Sequence, residues 1–149
     1  MRVYEIVPGL YQSVTPVDPD DREFTDQEGR AVNITAVVDL EGTIDPNIPL
    51  EEIGDVYLYW PIYDKPRMVH QETVRSIAHF VNRLVDDGHQ VLVHCHSGLN
   101  RASLITGRAL VARGMDPTQA VDLLRRRRSP ECLNNRVFHD WLLDEEPGT

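Results

Sequence analysis

Cys95 ends the run Val91-Leu92-Val93-His94, and Gly98 and Arg101 follow it closely. A cysteine at the end of a strand that runs into a helix start can act as a nucleophile. The backbone N–H groups of the connecting loop, with those of the helix N-terminus, can converge on one point and bind an anion. Gly98 sits mid-loop, where a positive φ or a close backbone approach is most needed. Arg101 brings a planar fork that takes two oxygens of one oxyanion. The same groups favour the thiolate over the thiol. The chemistry this pattern offers is thiolate attack at the centre of a cradled oxyanion. The plainer alternative is an inert buried thiol beside an ordinary turn.

The elements around the loop must position it. The run 91–94 is short and continuously apolar, as in a strand covered on both faces. Residues 2–12 read as one or two short strands around Pro8-Gly9. Residues 14–31 are polar and proline-bearing and read as a loop with a short helix near Phe24. Residues 34–40 (ITAVVDL) and 56–62 (VYLYWPI) read as strands, separated by a loop from Glu41 to Pro49. From about His70 to Asp87, Val74, Ile77, Ala78, Val81, Leu84 and Val85 form one helical stripe, with Gly88 to end it. A second helix should run from near Arg101 to Gly114. Asp116-Pro117-Thr118-Gln119 has the composition of a helix start, and this third helix reaches about Arg127. Asn134 or Asn135 opens the last helix, which carries Val137, Phe138, Trp141 and Leu142. Strands alternating with helices predict an α/β domain over residues 1–149. Its centre is a mostly parallel, twisted sheet of four to five strands flanked by helices. Ligands of such sheets bind at the C-terminal strand ends, where His94-Cys95 falls.

The segment His94-Cys95-x-x-Gly98-x-x-Arg101 resembles the active-site signature of cysteine-dependent protein tyrosine phosphatases, and the short chain resembles their dual-specificity branch. Residues 7–13 (VPGLYQS), 34–40, 60–64 (WPIYD) and 88–95 (GHQVLVHC) resemble further segments of that branch. The likeness covers nearly the whole chain and is weakest over 14–31. It implies that the loop joins a central strand to a helix. It implies that Cys95 attacks phosphorus and forms a cysteinyl-phosphate. Arg101 and the N–H groups of His96, Ser97, Gly98, Leu99, Asn100 and Arg101 would hold the equatorial oxygens. Asp64 would protonate the leaving oxygen and then activate water. His94 would orient the loop and tune the thiolate. No metal and no cofactor are implied.

One residue departs from the pattern. Where the family has a hydroxyl directly after the arginine, Ala102 stands, with Ser103 one later. That hydroxyl assists departure of the thiolate, so its loss implies a slow second step. Ser103 does not replace it directly, because one helical residue turns a side chain by roughly 100°; Ser97 is another donor in the loop. Asp39 and Glu41 are the fallback acids, and otherwise solvated loop residues. Asn134 either approaches the site, as an asparagine of the family does, or caps a helix. Arg125–Arg128 read first as favourable charge at a helix C-terminus, and second as a phosphate or RNA contact. Cys132 could pair with Cys95 only if the fold brings them together.

The net charge of −9 argues against general nucleic-acid or acidic-membrane binding. No apolar run approaches a membrane span, and the N-terminus lacks a signal-peptide core. Two distant cysteines form no disulfide framework and no zinc spacing. A reducing cytoplasm and a monomer are the resulting expectations. Three functions stand. The first is a metal-independent phosphatase for phosphotyrosine, phosphoserine or phosphothreonine proteins and small phosphomonoesters. The second is an RNA 5′-phosphatase, which Asn100 before the arginine fits by family resemblance. The third is a poorly active phosphate-binding module, kept open by Ala102. Lysines inside the loop, a mark of family members acting on inositol lipids, are absent.

Overall fold

The computed structural model describes residues 1–16, 23–42, 56–68 and 70–149. In chain order the elements are β1 (Tyr4–Val7), β2 (Leu10–Ser13), β3 (Phe24–Thr25), β4 (Ala31–Val32), β5 (Ala36–Asp39) and β6 (Val56–Tyr59). They continue with α1 (Gln71–Asp86), β7 (Val91–His94), α2 (Arg101–Ala112), α3 (Pro117–Arg127) and α4 (Arg136–Leu143). Five strands form one sheet in the order β1-β2-β7-β5-β6. Only β1 runs antiparallel to its neighbour; β2, β7, β5 and β6 are mutually parallel. The expected α/β architecture is therefore present, with β7 at its centre. The predicted loops over 14–31 and 41–49 lie partly outside the described residues.

Strand β7 is buried along its length. Side chains alternate across a strand. Val91 and Val93 join the large core with α1, α2, α3 and α4. Leu92 joins a smaller cluster on the opposite face with Val3 and Tyr11, covered by Phe24 and Val32. Phe24 and Val32 belong to a two-stranded hairpin, β3–β4, in which Phe24 pairs with Val32. The short helix expected near Phe24 is thus a strand. Its cause is Asp26, whose side chain accepts the N–H groups of Glu28 and Arg30 and whose backbone exchanges bonds with Arg30 and Gly29. That side-chain-nucleated turn, with Gly29 at φ +80, folds the segment back on itself.

The helices follow their sequence signals closely. Helix α1 buries Val74, Ile77, Ala78, Val81 and Leu84, and the chain leaves it through Gly88 at φ +94. Helix α2 is buried continuously from Ala102 to Val111, so it is the central helix of its layer. Gly107 makes this possible: a Cβ there would meet Leu142 at 2.7 Å. Asp116 caps α3 by accepting the Thr118 N–H, with Pro117 in the first turn. Of the two candidate caps for α4, Asn135 is the one that accepts, from Val137 and Phe138. No helix among the described residues is long and apolar enough to cross a membrane.

Two contacts generate tests. Glu145, beyond α4, accepts from Arg75 of α1 at 2.7 Å and from the buried Arg108 of α2 at 2.8 Å. Burial opposes its ionisation, but the two guanidinium donors outweigh burial and hold its carboxyl below the usual range. Its stabilising effect is therefore complete above the ordinary carboxylate pKa and fades as pH falls through the depressed value. Glu145→Gln should cost about 2 kcal/mol at neutral pH in urea unfolding, and the gap to wild type should narrow on acidification. A gap that is constant with pH would contradict this. The second contact is at Gly98. Its φ is +67, and a Cβ would lie 2.4 Å from the carbonyl oxygen of Ser13 at the end of β2. Gly98→Ala should destabilise the fold by at least about 1–3 kcal/mol from the backbone conformation alone. An unchanged unfolding midpoint would show that the loop can rotate away from β2.

Candidate active site

The loop from Cys95 to Asn100 joins β7 to α2. The Cys95 carbonyl accepts from Thr15 Oγ1 at 3.0 Å, and the His96 carbonyl from the Thr15 N–H at 3.3 Å. The Ser97 carbonyl accepts from Arg128 Nη2 at 2.9 Å. The Gly98 carbonyl accepts from Gln12 Nε2 at 3.4 Å, a long contact. The Leu99 carbonyl accepts from the Leu133 N–H at 3.0 Å, and the Asn100 carbonyl from Leu104 within the helix start at 2.9 Å. In a planar trans peptide the N–H points opposite to the preceding carbonyl. The bonded carbonyls from 95 to 100 therefore turn the N–H groups of His96 to Arg101 away from those donors, which is one requirement of an anion cradle.

Cys95 is buried and continues the register of Val91 and Val93 into the core face. His94 takes the opposite face and is fully buried. It lies across from Asp39 in the β5–β7 register, with His94 Nε2 3.8 Å from Asp39 Oδ1. Asp39 also accepts from the Tyr57 hydroxyl and the Glu41 N–H. Asp39 is thus no solvated loop residue. It ends β5, fully buried, because the parallel neighbours β6 and β7 bring Tyr57 and His94 to it.

Arg101 is half-buried at the first turn of α2. Its Nη1 donates to the Ile62 carbonyl at 2.9 Å and toward Leu40 at 3.4 Å. Its Nε is buried with no hydrogen-bond partner among the described residues. With Nη1 anchored, a guanidinium can still offer its Nε edge to an oxyanion. Asp64 lies on the exposed segment after β6, yet its carboxylate is docked at the loop. Oδ2 accepts from Asn100 Nδ2 at 2.9 Å and Oδ1 from Asn135 Nδ2 at 2.8 Å. Asn134 reaches the same group, its Oδ1 accepting from Asn100 Nδ2 at 2.6 Å.

Ser103 is buried; its Oγ accepts from Gln12 Nε2 at 3.1 Å and it bonds the Cys132 thiol. Burial pushes that thiol up, with the Ser103 bond opposing. His96 and Ser97 are exposed, and Leu99 is half-buried.

Three of the four arginines at the end of α3 turn inward, and Arg126 is exposed. Arg125 Nε bonds the Cys132 carbonyl, Arg127 Nε bonds the Glu5 carbonyl, and Arg128 stacks 4.6 Å over Tyr4 while holding Ser97. Sequence reasoning did not single out Gln12, Thr15, Leu133 or Asn135 as contacts of this loop, and it weighed Arg128 only within the run Arg125–Arg128. Leu133 adopts a φ of +59, a left-handed backbone conformation uncommon for a residue other than glycine.

The dual specificity phosphatase catalytic domain matches residues 21–147. Protein tyrosine phosphatase type IVA 3 of Bos taurus is 33% identical over 81 residues, which is 54% of this chain and 47% of that protein. Dual specificity protein phosphatase 12 of Homo sapiens is 28% identical over 149 residues, which is 95% of this chain and 40% of that protein. The chain thus spans less than half the length of these curated relatives. Among solved structures, DUSP15 superposes with a TM-score of 0.76 at 18% identity, over 96% of this chain and 86% of that one. The human tyrosine phosphatase-like serine/threonine/tyrosine-interacting protein superposes at 0.74 with 21% identity, over 95% and 93%. These two likenesses show a common fold. With the match over most of its length, the chain belongs to the dual specificity phosphatase catalytic domain family.

Proposed function

We propose that this chain hydrolyses phosphomonoesters through a cysteinyl-phosphate intermediate, without a metal. The observation that carries the reading is the loop itself: every carbonyl from Cys95 to Asn100 is bonded to a donor around a buried cysteine, and the buried Arg101 Nε has no partner among the described residues. The Cys95 thiolate attacks phosphorus in line, and the bond from phosphorus to the leaving oxygen breaks. The N–H groups and Arg101 take the charge on the equatorial oxygens. Asp64 gives its proton to the leaving oxygen. In the second step the Asp64 carboxylate accepts a proton from water, the oxygen attacks phosphorus, the S–P bond breaks, and phosphate departs with the thiolate restored.

The substrates we read are phosphotyrosine, phosphoserine and phosphothreonine proteins, since His96 and Ser97 at the loop are exposed. Two free, buried thiols fit a reducing cytoplasm, and we take the chain to work there as a monomer. Arg125, Arg127 and Arg128 are engaged within the chain, which removes the support they lent to an RNA 5′ end. Ala102 is buried where a hydroxyl would assist the thiolate, and the Ser103 hydroxyl is committed to Gln12 and Cys132. The second step should therefore limit turnover.

With p-nitrophenyl phosphate in excess EDTA, wild type should release a nitrophenolate burst followed by slower steady turnover. Cys95→Ser should abolish both. Ala102→Ser should raise the steady rate by about tenfold and shrink the burst, as recovery of about 1.4 kcal/mol in the second barrier would. Folded wild-type protein with neither burst nor turnover would sink the proposal.

A further inference from the structure

Asp64 stands on an exposed segment, five residues past the end of β6. A proton donor there needs something to hold it against the nucleophile's frame. We infer that Asn100 and Asn135 form an amide clamp that positions Asp64 as the acid; the inference rests on the phosphomonoesterase reading above.

The partners fix which end of each amide faces the acid. Asn100 Oδ1 accepts the backbone N–H of Asn135 at 2.9 Å, so its Nδ2 must face the acceptors Asp64 and Asn134. Asn135 Oδ1 accepts the N–H groups of Val137 and Phe138 at the start of α4. Its Nδ2 therefore faces the remaining acceptors, Asp64 Oδ1 at 2.8 Å and the Lys65 carbonyl at 2.9 Å. Neither amide can flip without setting donor against donor. Asn100 is itself buried and belongs to the loop, one residue before Arg101. The clamp thus ties both oxygens of Asp64 to the same backbone that cradles the oxyanion. Arg101 adds a third tether through the Ile62 carbonyl. The segment bearing the acid is docked by contacts from the loop and from the start of α4, without any contact from a substrate.

A clamp that only supported the fold would lower all activity alike. A clamp that places the proton should matter most where the leaving oxygen needs that proton. The test compares kcat/KM for p-nitrophenyl phosphate and phenyl phosphate, the latter having the poorer leaving group. This ratio reports steps up to formation of the phosphoenzyme and is blind to a slow second step. Asn135→Ser keeps a capping oxygen for α4 but loses the amide donor, so it tests the clamp even if Asn100→Ala folds poorly. Asp64→Asn sets the reference for a lost acid.

Asn135→Ser and Asn100→Ala should each lose at least about tenfold more on phenyl phosphate than on p-nitrophenyl phosphate, within the range a general acid supplies. Combined with Asp64→Asn, neither should widen the difference further. Equal losses on both esters, or no loss, would overturn the clamp. If Asp64→Asn itself fails to discriminate, the acid is another group and the clamp falls with it. Cys95-dependent turnover in that case would leave the phosphomonoesterase reading intact.

Discussion

Peptide planarity is the constraint on which the site depends. A loop cannot aim its N–H groups at one point unless each preceding carbonyl is held away from that point. A carbonyl pulled out of line would carry its N–H with it. The chain meets this by giving each loop carbonyl its own donor. The donors are chemically mixed: a threonine hydroxyl and its N–H, a guanidinium, a carboxamide, and the N–H groups of Leu133 and Leu104. Any one of them is a modest bond worth about 1 kcal/mol in isolation. Together they fix a backbone that local propensity would not choose, and Gly98 accepts the one dihedral that other residues resist.

The rest of the fold can be read as the means of delivering those donors. Strand β2 lies beside β7, so Gln12 and Thr15 arrive at the loop from one side. Helix α3 ends where Arg128 can stack on Tyr4 and still reach Ser97. The turn before α4 brings Leu133, Asn134 and Asn135 against Leu99 and Asn100. One residue before Cys95, β5 places Asp39 opposite His94, so a buried imidazole finds a carboxylate rather than an apolar wall. A buried polar residue is costly without a partner, and here the parallel register supplies one.

Much of this was legible in the sequence, and the reasons for the remainder are physical. The stripe of α1, the Asp116-Pro117 start of α3 and the apolar strand before Cys95 are local patterns, and local patterns survive in one dimension. Cys95, Gly98 and Arg101 lie within seven residues of sequence, so their pattern is visible as spacing. Arg128 and Arg126 look alike in sequence, yet one supports the loop and the other is exposed. Nothing periodic marks Gln12 or Leu133 either, because each acts through a contact distant in sequence, Gln12 with Gly98 and Leu133 with Leu99. Asp39 looked like the first residue of a loop since its partners lie on other strands. The β3–β4 hairpin was missed because two-residue strands show no alternation and the turn at Asp26 rests on its side-chain bonds to Glu28 and Arg30.

The tethers of the loop come from both sides of it in sequence: Gln12 and Thr15 long before it, and Arg128, Leu133 and Asn135 well after. A chain made from its N-terminus therefore holds Cys95 without a finished cradle until the segment through Asn135 has emerged and docked. Domains fold as units during synthesis only once such segments are available. The loop backbone is therefore held in full only once that later segment has joined it.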